Sequence, residues 1–187
     1  MPKPKVTKED AVAAITETFR KFGYGGASLA KLSAASGLGK SSLYHHFPKG
    51  KEDMAAAARE HVIDRVRETF LDSLNGEGDP VDRLAEARKG LESFYGGGSK
   101  ACLIDLFGIA DAVEALPGTA SAMAEAMTAG FAKLAQDAGA TRAEAIERAE
   151  LAVIELEGAL VLARALGTSQ PFFRVLGRLE KILLSKD

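Results

Sequence analysis

Residues Ser36 to Phe47 read SGLGKSSLYHHF, and Gly39-Lys40-Ser41 within them is how a nucleotide-binding phosphate loop ends. Such a loop needs Gly, four residues, Gly, Lys, then Ser or Thr, because its backbone amides wrap the phosphates without side-chain interference. The position that must hold the first glycine is Ala34. The preceding SLAKLSAA is alanine-rich and helical in pattern, where a phosphate loop follows a buried β-strand. Both requirements of the nucleotide reading fail.

Other chemistry is as poorly supplied. His45 and His46 are adjacent, about 100° apart on a helix, and do not make the i, i+4 pair of a helical metal site. His61 is isolated, Cys102 has no CxxC partner, and no Gly-x-Ser-x-Gly elbow occurs. No catalytic activity, metal or cofactor is expected.

The same stretch suits a helix-turn-helix, in which one helix braces on the core and the next shows polar residues to the DNA major groove. Leu43 and Phe47, four apart, face inward and turn Lys40, Ser41, Tyr44 and His45 outward. Lys40 reaches phosphate or a guanine edge, and Ser41 and Ser42 suit backbone or bases. Tyr44 and His45 donate to phosphate or pack on thymine methyls. Ser28, at a helix N-terminus, and Lys51, at the start of the next helix, flank this face with backbone contacts. The phosphate to be held is then DNA's own.

The elements that must position these residues are all helical. Thr7 and Asp10 have the spacing of a capping box, and Val12, Ile15, Phe19 and Phe22 form an apolar stripe ending at FGYGGAS. A short helix over about 29–35 is broken by Ser36 and Gly37, and a second runs from Lys40 to His46 before Pro48. From Lys51, Met54, Ala58, Val62, Val66, Phe70 and Leu74 recur at steps of four, which predicts a long connecting helix. NGEGDP is the clearest break, with Asp79 and Pro80 placed as N-cap and first helical residue. Val81, Leu84, Leu91 and Phe94 then lead to GGGSK. Further helices are expected over about 101–115, 119–138, 141–166 and 171–184, with a capping box at Thr141 and Glu144. No stretch alternates as a strand does.

Charge is unevenly placed. Residues 1–51 hold nine Lys/Arg against three acids, while the whole chain carries −2. A basic front on an acidic body points to a polyanion bound at the N-terminal end. One cysteine, and a start (MPKPKVTKED) without a signal-peptide core, lead us to expect a cytoplasmic protein. No uncharged apolar run approaches the ~20 residues of a membrane span.

The stretch GYGGASLAKLSAASGLGKSSLYHHFPKGKEDM, Gly23 to Met54, resembles the DNA-binding region of the TetR family of transcriptional repressors, whose hallmark is Leu-Tyr-x-x-Phe after the helix-turn-helix glycine. Leu43, Tyr44 and Phe47 match it. With its flanking helices the resemblance covers about a third of the chain. Gly39 stands where the family usually has a serine-like cap, and Ser41-Ser42 where Gly-Thr is common. FPKGKED carries one more residue before its lysine than the common pattern, so that Lys51 is the better match for the family's phosphate-contacting lysine and Lys49 the other candidate.

The resemblance implies an all-α protein in which a DNA-binding domain (1–50) and a connecting helix (51–78) precede a helical ligand-binding and dimerisation domain (79–187). It further implies a homodimer on a palindromic double-stranded operator, released by a small-molecule inducer. Two recognition helices about 34–36 Å apart meet successive major grooves. The segment 149–166 is apolar around most of its circumference, so Leu151, Ile154 and Leu162 can meet a partner, with Gly158 permitting close approach. Phe173, Leu176 and Leu179 add to that surface. Met123, Met127 and Phe131, at steps of four, together with Phe107 and Glu155, are the candidate inducer contacts. Asp105, Asp111, Glu155 and Glu157 stand in apolar stretches, where a carboxylate needs a partner such as Arg164 or a cationic ligand. The rival reading is a helical protein-interaction module that offers the basic face to an acidic protein.

Overall fold

The computed structural model describes residues 6–108 and 110–185, excluding the side chains of Leu103, Asp105, Ala110 and Asp111. The carboxylates of Asp105 and Asp111 thus lie outside the described residues. Among the described residues there is no strand.

Two compact units arise, one from residues 1–64 with 103–120, the other from 65–102 with 121–187. The first holds α1 (Lys8–Gly26), α2 (Leu29–Ser36), α3 (Lys40–His46), most of α4 (Lys51–Val66), α7 (Leu103–Gly108) and α8 (Ala110–Ala115). Its core is Ile15, Leu32, Leu43, Phe47 and Met54, all fully or nearly fully buried. Thr7 caps α1 by accepting from the Asp10 amide at 3.1 Å. The stripe foreseen on α1 holds for Val12, Ile15 and Phe19, but Phe22 is 40% exposed. The backbone leaves helical geometry at Gly23, one residue on, and the Lys31 ammonium covers the Phe22 ring at 4.1 Å. Of the helix expected over about 101–115, residues 103–108 and 110–115 are helical.

The second unit is built from a π turn (Arg67–Leu71), α5 (Asp72–Asn75), α6 (Pro80–Phe94), α9 (Thr119–Asp137), α10 (Arg142–Leu166) and α11 (Gln170–Leu184). The long helix expected from Lys51 therefore runs on past Val66 only by loosening its pitch, and Phe70 and Leu74 remain fully buried. Asp79 caps α6 through the Val81 amide at 2.7 Å, with Pro80 in the first turn. Val81 itself is exposed, because the buried stripe of α6 begins only at Arg83 and Leu84. Thr141 and Glu144 form the full capping box of α10.

The core of this unit is a run of edge-on rings. Phe70 meets Phe94 at 5.8 Å, Phe94 meets Tyr95 at 5.0 Å, and Tyr95 meets Phe172 at 6.2 Å. Such pairs add specific geometry to the large area each ring buries. Arg83 is buried and ties three elements together: its Nε donates to Ser73 O at 3.2 Å, Nη2 to Leu74 O, and Nη1 to Asp137 Oδ2 at 2.7 Å. It closes the carbonyl end of α5, whose last C=O groups have no helical partner.

Candidate nucleic-acid interface

The helix-turn-helix is made by α2, a three-residue turn and α3. Ser28 caps α2 by accepting from the Lys31 amide at 3.3 Å. Its hydroxyl proton stays available to an acceptor outside. Gly37 sits at φ 68, left-handed backbone that reverses the chain after α2 and that a side chain resists. Ser36, expected as a helix breaker, and Ser33, to which the sequence pattern gives no role, hold this turn. Ser33 Oγ donates to Leu38 O at 2.7 Å, and Ser36 Oγ donates to Ser33 O at 3.3 Å while accepting from the Leu38 amide at 3.4 Å. Ser33 lies inside α2 and reaches the turn only through its side chain, so spacing alone did not single it out.

Leu43 and Phe47 are buried and anchor α3. Lys40, Ser41, Ser42, Tyr44, His45 and His46 are all exposed, so the structure brings the expected recognition residues together on one short helix. Gly39 occupies the N-cap of α3 and offers no side-chain cap, which leaves that end to its backbone amides. Tyr44 is 43% exposed, and its ring leans on Gly50: a Cβ there would lie 3.3 Å from Cε1. Gly50 is at φ 64 and its amide donates to Phe47 O at 2.8 Å, closing the turn between α3 and α4.

The lysines around this face are not equivalent. Lys31 Nζ donates to Gly26 O at 2.8 Å, and Lys51 Nζ to Gly25 O at 3.4 Å while lying 4.4 Å from the centre of the Tyr24 ring. Lys49 is exposed, and its backbone amide donates to Asp53 Oδ2 at 2.8 Å.

The second unit places the other expected residues. Leu151, Ile154, Leu162 and Phe173 are exposed, and a side chain added at Gly158 would meet open space. Leu176 and Leu179, expected on the same surface, are instead buried in the chain's own core, on the inward stripe of α11 with Phe172, Val175 and Leu183. Met123, Met127 and Phe131 line one buried face of α9. Phe107 belongs to the first unit, where it borders a small apolar void with Thr16, Phe19, Ala58 and Leu116. Glu155 pairs with Arg178 at 3.0 Å, a partner on α11 that sequence distance concealed, and the Cys102 thiol donates to Glu157 Oε2.

The family model of bacterial regulatory proteins, tetR family, matches residues 11–58, the segment from α1 through the first turns of α4 that carries this interface. Residues 11–58 thus carry the DNA-binding region of the TetR family. The chain is 30% identical over 103 residues to the HTH-type transcriptional regulator LmrA of Bacillus subtilis (strain 168), a match covering 55% of this chain and 52% of that protein. The chain thus spans about half the length of this curated relative. A TetR transcriptional regulator from Legionella pneumophila has the same fold, with a TM-score of 0.79 at 20% identity over 97% of this chain and 100% of that one. The TetR family regulator CifR, in a cysteine mutant complexed with 26-base-pair operator DNA, gives a TM-score of 0.76 at 22% identity over 100% of both chains. Among the described residues no helix is long and apolar enough to cross a membrane, and no group of three or more His, Cys, Asp or Glu is placed to hold a metal.

Proposed function

We propose that this chain is a cytoplasmic transcriptional repressor that binds a palindromic operator as a homodimer and leaves it when a small-molecule inducer binds. The observation that carries the reading is the polar outer face of α3, Lys40, Ser41, Ser42, Tyr44 and His45, set on a buried Leu43–Phe47 anchor. This is how a recognition helix is built, with base-edge readers outward and apolar residues inward. Ser28 supplies a phosphate contact at the start of α2. The likeness in fold to CifR, a protein solved with operator DNA, supports the reading.

Residues 1–50 read the DNA and 79–187 pair the protomers and sense the inducer, with 51–78 joining them. Pairing uses the exposed apolar stripe of α10, Leu151, Ile154, Gly158 and Leu162, with Phe173 of α11 beside it. A stripe this apolar on an exposed helix face is the mark of a covered surface. Inducer contacts come from Met123, Met127 and Phe131, with Glu155, and the ligand acts by coupling its site to operator affinity.

Fluorescence anisotropy across a salt series tests this, using the intergenic DNA beside the protein's own gene against scrambled duplex. A preference of about 10³-fold or more is expected. Tyr44→Ala and Lys40→Ala should each weaken that binding by about 1–3 kcal/mol without dissociating the dimer. Equal, weak binding to both duplexes favours the rival, a basic face for an acidic protein partner.

A further inference from the structure

We propose that Lys49, and not Lys51, takes the DNA phosphate beside the recognition helix, and that Lys51 is a positioning residue that holds the carbonyl end of α1 together with Lys31. The assignment rests on the DNA-binding reading above.

The last carbonyls of a helix lack partners and carry its partial negative charge, which nearby cations stabilise. The last turn of α1 contains no basic residue of its own. Its end is instead served from outside. Lys31, from α2, donates to Gly26 O at 2.8 Å with its ammonium 4.1 Å from the Phe22 ring centre. Lys51, from α4, donates to Gly25 O at 3.4 Å with its ammonium 4.4 Å from the Tyr24 ring centre. Each lysine makes the same pair of contacts, one carbonyl and one ring, so the two clamp α1 to the elements on either side of the recognition helix. Lys51 is half-buried in this arrangement. A phosphate would have to compete with both contacts for this ammonium.

Lys49 gives up nothing. Its backbone is fixed by the 2.8 Å bond to Asp53, while its ammonium makes no hydrogen bond or ion pair among the described residues. Gly50 separates the two lysines, and its left-handed backbone, φ 64, turns the chain between them. The same glycine lies against the Tyr44 ring of the recognition helix, and Lys49 precedes it directly, while Lys51 reaches back to α1.

The test measures the dependence of log affinity on log salt, with intergenic duplex from beside the protein's own gene and a scrambled duplex as probes. Lys49→Ala should flatten the slope by about 0.9 for each protomer bound, the loss of one phosphate contact. Lys51→Ala should lower affinity with the slope unchanged, and should raise amide exchange over residues 23–28. Lys51→Arg, which keeps a cation for Gly25 and Tyr24, should restore affinity. An unflattened slope in Lys49→Ala overturns the assignment, as does a flattened slope in Lys51→Ala. Should Lys51→Ala not fold, Lys49→Ala and Lys51→Arg decide. A wild-type protein with no salt-dependent duplex binding sinks the DNA reading itself, which is seen before any variant is made.

Discussion

Gly90 of α6 lies directly on the carbonyl of Thr69 in the π turn: a Cβ built on Gly90 would overlap the Thr69 oxygen and stand 2.7 Å from its carbonyl carbon. The looser pitch of residues 67–71 and the missing side chain at 90 are two halves of one close approach, since a π turn pushes backbone outward where an α-helix would not. Backbone on both sides cannot yield as a flexible side chain does. Gly90→Ala should therefore destabilise the fold by about 2 kcal/mol or more, lowering the thermal midpoint by roughly 2–4 °C per kcal/mol. A midpoint equal to wild type by calorimetry would mean that α6 shifts freely.

Asp137 is held below the usual carboxylate range, first by its hydrogen bond from Lys133 and next by that from Arg83. A depressed pKa in the folded state contributes stability above the unfolded value, near ~4, and that stability is lost as pH falls through the folded value. Denaturant melts of wild type and Asp137→Asn should differ at pH 7 and converge as acidification passes through the lowered folded-state value. A gap that stays constant with pH would show that the carboxylate's charge is not what matters.

Arg83 is the buried member of that network, and its removal strands carbonyls of Ser73 and Leu74. Arg83→Ala should cost about 2–3 kcal/mol, more than Asp137→Asn. Urea melts of the two variants at pH 7 give the comparison.

Ile154 and Leu162 are 67% and 53% exposed, so charging them costs the fold of one chain little. Under the dimer proposal, Ile154→Glu with Leu162→Glu should weaken self-association by roughly 30-fold or more, with helical content unchanged. Sedimentation velocity over a concentration series reads the outcome, and an undisturbed dimer moves the interface elsewhere.

Gly50→Ala forces a side chain into left-handed backbone at a cost of about 1–2 kcal/mol and crowds the Tyr44 ring at 3.3 Å. Operator affinity should fall in the same direction as for Tyr44→Ala, by a smaller amount, in the anisotropy assay. Full affinity would show that the Tyr44 ring does not depend on this turn.

Local signals decided much of this protein. Thr7, Ser28, Asp79 and Thr141 cap helices where their spacing to the following residues says they should, because a cap is satisfied within one turn. Leu43 and Phe47 point inward, and the polar residues of α3 outward, because helical geometry alone separates their directions. What lies beyond one turn needed the folded chain. Leu176 and Leu151 are the same residue type, yet one fills the core and the other faces out: α10, which carries Leu151, has apolar residues on both faces, and only packing against α11 selects the inward one. The π turn at Arg67–Leu71 carries no composition signal of its own, and its partner Gly90 is about twenty residues away. Arg178 for Glu155, Asp137 for Arg83, and the carbonyl of Gly25 for Lys51 are pairings across the fold, and charge counted along a chain does not say which cation meets which acceptor. Sequence determined the helices and the polar face of α3, where neighbours along the chain supply the physics; tertiary structure decided which apolar residues are core and which lysine is already engaged, because burial and ion pairing belong to residues brought together from afar.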